Sequence, residues 1–589
     1  MVYPLKANES LSNYYPFKRP YVVVSNDPQV GDFGPFTPGT QTSGIQEAIN
    51  RVSGLGGGRI FFKNGSYPVN AQIFINASNI EFVGESMLGV DIYPTTTIEY
   101  VIRNNPLFVI GMYPNGDANP DILSGIVFRN MTIEPVNPDL TSNVQYYSIG
   151  GIAPANSLFE RLYLLNRSPS QSTIGIGLTG NPLNTGTIRG ITIRLAFIYN
   201  TSAIAIMSGA LFSTSTPVSG SMNISDITID TVYDVQNQPS GDDRIAILGA
   251  SESFPTFIKG VNITNIHIYV GAGLTSGGIN GIKLDTSANS RILDVTITDV
   301  WFRYEGTYNN NSTTLPIAVF TGTGATSTSS VSVENLIIKR VYAYGSNQIG
   351  IGMGNTSYYY PNPYWILEDI TFNNYMSPTN QPIAFGFGSA TGGGNELVTI
   401  KNVSMAYASS VTTPTGVAPI VFQSSNAVTI KHNIRIKNVQ GYSTSFTGVQ
   451  LYNVTLSTPT QLSARGLRFG NTPAPVVILD SSGTALDGTP PASFTPSSGT
   501  AYQNNSQRRI RVYVPVTLNP TSTAASSVDI SIGSSSTAIN IPVAQAGEPA
   551  GVTAGIVQTL VFEVPSGWWF EISATNAAVG TTVVDATDV

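Results

Sequence analysis

Two adjacent carboxylates, Asp242 and Asp243, stand in the stretch SGDDRIAILGA. Paired acids suit general acid–base work, in which one group gives a proton and the other takes one. Lys283 and Asp285, in GIKLDTS, fall one repeat further on; with Asp243 and Arg244 they form a candidate polar patch. The competing readings are plain. Asp side chains satisfy turns by bonding backbone amides, and Lys beside Asp makes a structural ion pair. Glu305, in WFRYEGTY, is a further acid of interest. The densest aromatic run is TSYYYPNPYW, with Tyr358, Tyr359, Tyr360, Tyr364 and Trp365. Its Pro and Asn residues read as a loop. Flat apolar faces with polar tips suit stacking on sugars, or packing at an interface.

Composition narrows the chemistry. The 589 residues include no Cys and only two His, His267 and His432. Thiol catalysis, disulfides and thiolate metal sites are excluded. A His-based metal site or a Ser-His-Asp triad is not expected, and His267, inside NIHIYV, reads as a strand residue. No metal and no cofactor is expected, because P-loop, dinucleotide and EF-hand patterns are all missing. Charged residues make up 11% of the chain, against about 25% in an average protein. Net charge is −7 and Lys/Arg clustering is slight, which argues against nucleic acid as a partner. No apolar run is long enough for a membrane span, so no membrane insertion is expected. The N-terminal MVYPLKANESLSNYY lacks the apolar core of an export signal.

These side chains are carried by a repeat. An apolar–small–apolar pattern recurs around Ile174, Ile204, Ile245, Ile282, Ile317, Ile349, Ile383 and Ile420, with a weaker copy at Val449. The average step of about 34 residues lies in the range of solenoids. Each repeat holds a second segment, such as MNISDITIDTVYD or SRILDVTITDVWF, that alternates with period two. Short strands separated by Gly, Asn, Ser and Thr suit the coils of a parallel β-helix, each pairing with the next at about 4.8 Å. One helix is expected at TSGIQEAINRVSGLGGG, where Ile45, Ala48, Ile49 and Val52 share a face. Ser43 with Gln46 reads as a capping box, and Gly54 as the C-cap. This helix would cover the open end of the first coil.

At this point the sequence resembles a family. Ile45-Gln46-Glu47-Ala48-Ile49, Gly56-Gly57-Gly58, Gly65-Ser66-Tyr67 and the stretch from Asn79-Ile80 to Gly84 are similar to the opening of pectin-lyase-like right-handed β-helices. The resemblance covers residues 40–455. It implies a fold shared by pectinases, epimerases and virus tailspikes. Within it, Asp242-Asp243 resembles the paired aspartates of polygalacturonases, which flank the scissile bond as acid and base. The partner positions depart from that pattern. Asn200-Thr201-Ser202, Ile279-Asn280-Gly281 (or Gly271-Ala272-Gly273) and Pro316-Ile317-Ala318 stand where further acid, His and Arg-Ile-Lys motifs belong. A second resemblance covers the last ninety or so residues. Gly499-Thr500-Ala501-Tyr502-Gln503-Asn504, Val564-Pro565-Ser566-Gly567-Trp568-Trp569 and Ala574-Thr575-Asn576 look like a C-terminal module of virus tail fibres, which is typically trimeric.

The expectation is therefore an all-β chain. Residues 1–40 form an N-terminal arm for attachment or packing, and 41–455 a right-handed parallel β-helix with its capping helix. Residues 456–495 are a linker, and 496–589 a C-terminal β-sandwich or jelly-roll tip. The expected function is that of a viral tail fibre or tailspike, at the virion surface and extracellular. As a homotrimer it would bind a host cell-surface polysaccharide or glycoprotein, with other virion proteins joined through the arm. The alternatives are a polysaccharide depolymerase and a purely structural spike subunit.

Overall fold

A computed structural model shows the expected architecture: a right-handed parallel β-helix, a capping helix, and antiparallel sheets near the C-terminus. It describes residues 20–102, 104–135, 145–167, 173–184, 186–209, 212, 222–237, 243–249, 255–272, 279–287, 289–306, 314–323, 332–345, 351–354, 364–376, 383–387, 397–408, 420–430, 433–441, 449–456, 462–469, 478–479, 493–504, 509–551, 556–565 and 567–585. The chain divides into two compact units, Met1–Gly392 with Met405–Thr412, and Gly393–Ser404 with Thr413–Val589.

In the first unit, from Ser157 on, each described coil gives one strand to each of two parallel sheets. The long-strand sheet runs through Ser157–Leu165, Ile188–Tyr199, Ile224–Gln236, Thr256–Val270, Ser290–Tyr304, Ser332–Tyr344 and Trp365–Tyr375. The short-strand sheet runs through Thr173–Thr179, Ser202–Ser208, Ile245–Gly249, Ile279–Ser287, Thr314–Thr323, Ile351–Gly354 and Ile383–Phe387. Its register aligns Ile176, Ile204, Ile245, Ile282, Ile317, Ile351 and Ile383. The repeat is the expected one, with Ile176 and Ile351 taking the places read at Ile174 and Ile349.

Alternation puts one side of each strand into the coil. Ile191 and Ile193, Ile227 and Ile229, Val261 and Ile263, and Val295 and Ile297 stack at 0–1% exposure. Fully burying such a side chain is worth about 1.5–3 kcal/mol, so this apolar interior supplies most of the stability. Hydrogen bonds between neighbouring coils span 34 residues at Glu160–Arg194 and Thr264–Thr298, and 41 at Asp299–Arg340. The average step read from sequence is thus the commonest real one.

The helix is Ile45–Ser53, and Ile45, Ala48, Ile49 and Val52 are its buried face, as expected. Its N-terminus corrects the capping-box reading. Gly44, in the left-handed region at φ 80°, is the N-cap, and Thr42 Oγ1 accepts the Gln46 amide at 3.0 Å. Ser43 instead donates to the Pro68 carbonyl at 2.5 Å. The Gln46 side chain bonds Phe74 through both its atoms, at 2.7 and 3.1 Å, pinning the helix to the first coils. Parallel pairing starts earlier than the expected boundary at residue 41, because Tyr21–Val24 already pairs with Arg59–Phe62.

In the second unit parallel pairing continues past residue 455: Leu462–Phe469 pairs with Asn433–Gly441, and Ile478–Leu479 with Val449–Leu456. Beyond it lie two antiparallel sheets. Ile510–Leu518 and Ile556–Val564 lead one, and Ser526–Gly533 and Trp569–Thr575 the other. Val512, Val514, Val516, Val528, Ile530, Phe562, Phe570 and Ile572 form their shared core. Trp568 packs partly buried against it. Several short alternating strands separated by turn signals are what pointed to a sandwich in sequence.

Candidate functional site: an aromatic stripe and two carboxylate clusters

A bend in each long strand creates the most distinctive surface. Asn130, Arg161, Leu195, Thr231, Asn265, Asp299, Arg340 and Asp369 hold equivalent register positions, and all are left-handed, with φ between 51° and 58°. Asn and Asp tolerate that conformation; Leu and β-branched Thr do not do so readily. The bend turns the last few residues of each strand onto a separate outward face.

That face carries two rows. In the first, Tyr163, Phe197, Tyr233, His267, Trp301 and Tyr342 are aligned by register. Ring centroids are 5.2 Å apart for Phe197–Tyr233, 4.8 Å for Tyr233–His267 and 4.5 Å for His267–Trp301, with interplanar angles of 12°, 16° and 4°. The second row, two residues on, is Tyr199, Val235, Tyr269, Arg303 and Tyr344. The Arg303 guanidinium lies 5.2 Å from the Tyr344 ring centre and is paired with Glu305. Tyr233, Tyr269, Trp301 and Tyr342 are 37–42% exposed. Stacked rings turn their faces to each other, so the part of each ring left to solvent is an edge of an amphipathic side chain. His267 shares its Nε2 with Asn265 Oδ1 at 3.1 Å, and burial holds its pKa below the usual value, so the imidazole in the stack is neutral at pH 7.

This stripe was legible but unread. Every second residue of NIHIYV, TVYDV and DVWFRY faces outward, and an aromatic recurs there coil after coil. His267 is a strand residue, as expected, and also a rung of this ladder.

The residues expected to do chemistry divide differently. Asp242, Tyr358, Tyr359, Tyr360 and His432 lie outside the described residues. Asp243, Lys283 and Asp285 do come together: Lys283 Nζ is 3.1 Å from Asp243 and 3.3 Å from Asp285, with all three side chains 21–25% exposed. Asn280 Nδ2 donates to Asp243 Oδ1 at 2.5 Å, and Lys283 Nζ sits 5.8 Å from the Phe320 ring centre. Burial works to lower the Lys283 pKa, but the two carboxylates outweigh it and the ammonium is held above its usual value. An ammonium held between two carboxylates suits an ion-pair network better than an acid catalyst.

The coil alignment used in the sequence is real. Ile204, Ile245 and Ile282 are in register, which brings Ser202 and Asn280 to either side of Asp243. Gly271 follows the long strand Thr256–Val270 and bonds the Gln236 carbonyl, so it is not aligned with Asp243.

Two expectations need correction. Arg244 is not part of the polar patch: it is 0% exposed and forms a two-pronged ion pair with Asp234 inside the coil. Trp365 is not available to a glycan either. It is 1% exposed and donates its indole N–H to the Val333 carbonyl at 3.0 Å, because alternation from Tyr364 sends it inward. Tyr364 itself is 43% exposed.

A second carboxylate cluster had no sequence signal, because its members come from three coils. Arg167 Nη2 is 2.8 Å from Glu134 and 3.8 Å from Asp91. Glu134 is 4% exposed. Burial, and then the Asp91 charge, push the Glu134 carboxyl up to about 7 despite Arg167. Asp91 is also raised by burial, partly offset by Arg167. Among the described residues no group of three or more His, Cys, Asp or Glu could hold a metal ion, and no helix is long and apolar enough to cross a membrane.

No protein-family model matches the sequence, and no curated protein matches it either. Solved structures do resemble the chain. A mutant tailspike protein of E. coli bacteriophage HK620 has a TM-score of 0.38 and 12% identity, covering 97% of this chain and 93% of that one. The enzymatically active domain of tailspike protein 4 from bacteriophage CBA120 gives 0.30 and 10%, covering 93% of this chain; the match spans 66% of that domain. The catalytic unit of a GH87 α-1,3-glucanase from Streptomyces thermodiastaticus gives 0.36 and 12%, covering 75% and 66%. At these values no residue role is carried over. By its own strand pairing, the chain is a parallel β-helix followed by an antiparallel C-terminal module.

Proposed function

We propose that this chain is a receptor-binding protein of the viral tail-fibre or tailspike type, which attaches to host surface glycans. The observation that carries the reading is the two-row aromatic stripe. It is aligned by register and more than a third exposed at Tyr233, Tyr269, Trp301 and Tyr342. Such a surface combines apolar area with hydroxyl and N–H edges, the combination a carbohydrate demands. Low charge and the C-terminal sequence resemblance support the same reading. In it, the chain is a homotrimer on the virion surface, in an extracellular setting.

The test is binding of purified chain to host cell-surface polysaccharide, comparing wild type with Trp301→Ala and Tyr269→Ala. Retained binding in both variants sinks the assignment of the stripe. Absence of any glycan binding by the wild type sinks the function. A second reading, depolymerisation, rests on the convergence of Asp243, Lys283 and Asp285. It is checked by mass spectrometry for shortened glycans, with Asp243→Asn alongside.

A further inference from the structure

The charges around the aromatic stripe cancel one another, and this bears on the class of sugar that glycan attachment, the reading on which the inference rests, would admit. Four outward rows run side by side: one just before the strand bend, one at the bend, and the two of the stripe. The row before the bend begins Arg129, Glu160, Arg194 and Asp230, which alternate in sign from coil to coil. Glu160 holds Arg129 at 2.7 Å and Arg194 at 2.6 Å. The row continues through the uncharged Thr264 and Thr298, which hydrogen-bond each other at 3.0 Å. It closes on Lys339 and Glu368, paired at 3.0 Å. Every cation in this row is thus matched by an anion.

The bend row follows the same rule. Arg161 and Arg340 are balanced by Asp299 and Asp369, and Asp299 takes a two-pronged bond from Arg340 at 2.6 and 2.7 Å. Beside Tyr233 and His267 the bend residues are Thr231 and Asn265, joined by a hydrogen bond of 2.9 Å. Within the two stripe rows Arg303 is the one cation among the described residues. It is paired with Glu305, whose amide is anchored to the Val270 carbonyl at 2.9 Å. Arg167, near Tyr163 at the N-terminal end of the stripe, is taken up by Glu134 at 2.8 Å. The sequence following the long strands at the centre of the stripe, 271–278, 307–313 and 346–350, contains no charged residue.

Opposite charges one coil apart, at about 4.8 Å, cancel over distances longer than that spacing. An anionic chain crossing successive coils therefore meets no row of one sign, and the net charge of −7 repels it. Firm capture of carboxylate, sulfate or phosphate needs unmatched cations, best supplied by a guanidinium fork, and the guanidiniums of Arg194, Arg303 and Arg340 already serve carboxylates of this chain. What the centre of the stripe does offer is Thr231, Thr264, Asn265 and Thr298, whose hydroxyls and amide can exchange hydrogen bonds with sugar hydroxyls. We propose that the stripe takes an uncharged glycan laid across successive coils, and that the sign-alternating rows beside it exclude sugars bearing carboxylate, sulfate or phosphate.

The test is a glycan array of uncharged, carboxylated, sulfated and phosphorylated oligosaccharides. It is probed with the purified full chain at about 20 and about 500 mM NaCl, which shortens the Debye length from about 20 to about 4 Å. The expected result is binding confined to uncharged glycans and changed less than about twofold by salt, because no ion pair is made. Binding confined to acidic glycans, and weakened about tenfold or more by salt, overturns the inference and leaves glycan attachment standing. Absence of binding to every glycan on the array and to host polysaccharide overturns attachment itself, and the inference falls with it. Glu160→Gln removes the carboxylate that Arg129 and Arg194 share. That variant should add salt-sensitive binding of acidic glycans. An unchanged, wild-type pattern in the folded variant overturns charge cancellation as the cause of exclusion.

Discussion

Asp234 and Arg244 form an ion pair sealed inside the β-helix: both side chains are 0% exposed, and Arg244 Nη2 also reaches the Thr201 carbonyl. Asp234 occupies an interior row with Ile198, Ile268 and Phe302, where every other member is apolar. Burial raises the Asp234 pKa and Arg244 opposes that, so each charge depends on the other. Breaking such a pair costs about 3–5 kcal/mol, whereas replacing both partners by apolar groups is often neutral. Arg244→Met should therefore lower the unfolding midpoint sharply, and Asp234→Leu with Arg244→Met should restore most of it. Chemical denaturation of the three chains checks this.

Leu195 sits at φ 51° in the strand bend where Asn130, Asn265, Asp299 and Asp369 serve in four other coils, and it is 36% exposed. The left-handed conformation costs an ordinary residue about 1–2 kcal/mol. Leu195→Asn should stabilise the chain by about 1 kcal/mol, and Leu195→Val should destabilise it, as read by unfolding midpoints.

Trp301 is stacked on His267 at 4.5 Å and has Tyr342 as its register partner in the next coil. Removing it costs the His267 stacking, about 0.5–1.5 kcal/mol, and leaves the buried interior intact. Trp301→Ala should fold with a slightly lower midpoint and lose most glycan affinity, as measured by calorimetry.

Acid should weaken the chain through carboxylates whose folded pKa values are depressed. The Asn64 amide donates to Glu85, which, with Lys63 alongside, lowers its pKa; the two-pronged Arg340 bond does the same for Asp299. Depressed folded values give stability that is present above the ordinary carboxylate range and lost as pH falls through the folded values. Glu85→Gln with Asp299→Asn should flatten the acid limb of a stability–pH curve below about pH 4.5, as read by denaturation midpoints across pH.

Much of the fold was legible because a coil repeats one short instruction. Ile204, Ile245, Ile282 and Ile317 announce the short strands by an apolar–small–apolar pattern, and period-two alternation announces the long ones. Ile45, Ala48, Ile49 and Val52 mark the helix by spacing alone. The helix cap was misjudged because Ser43 had a competing acceptor, the Pro68 carbonyl, that only folding brings near. Lys283 and Asp243 could be paired because the repeat supplies a register. Glu134 and Arg167 could not, because their meeting depends on where two strands end rather than on the repeat. Trp365 misled because its aromatic neighbours in sequence conceal a change of face at each residue.

The spacing between coils is 34 residues at Glu160–Arg194 and 41 at Asp299–Arg340, yet the bends stay aligned through both. Added residues are therefore shunted to the turns, and the ladders take no notice of them. A lineage carrying such a chain could lengthen, shorten or exchange its turns freely, and could gain or lose a whole coil, without re-solving the problem of folding. A single residue inserted within a strand would instead turn every later side chain of that strand inside out.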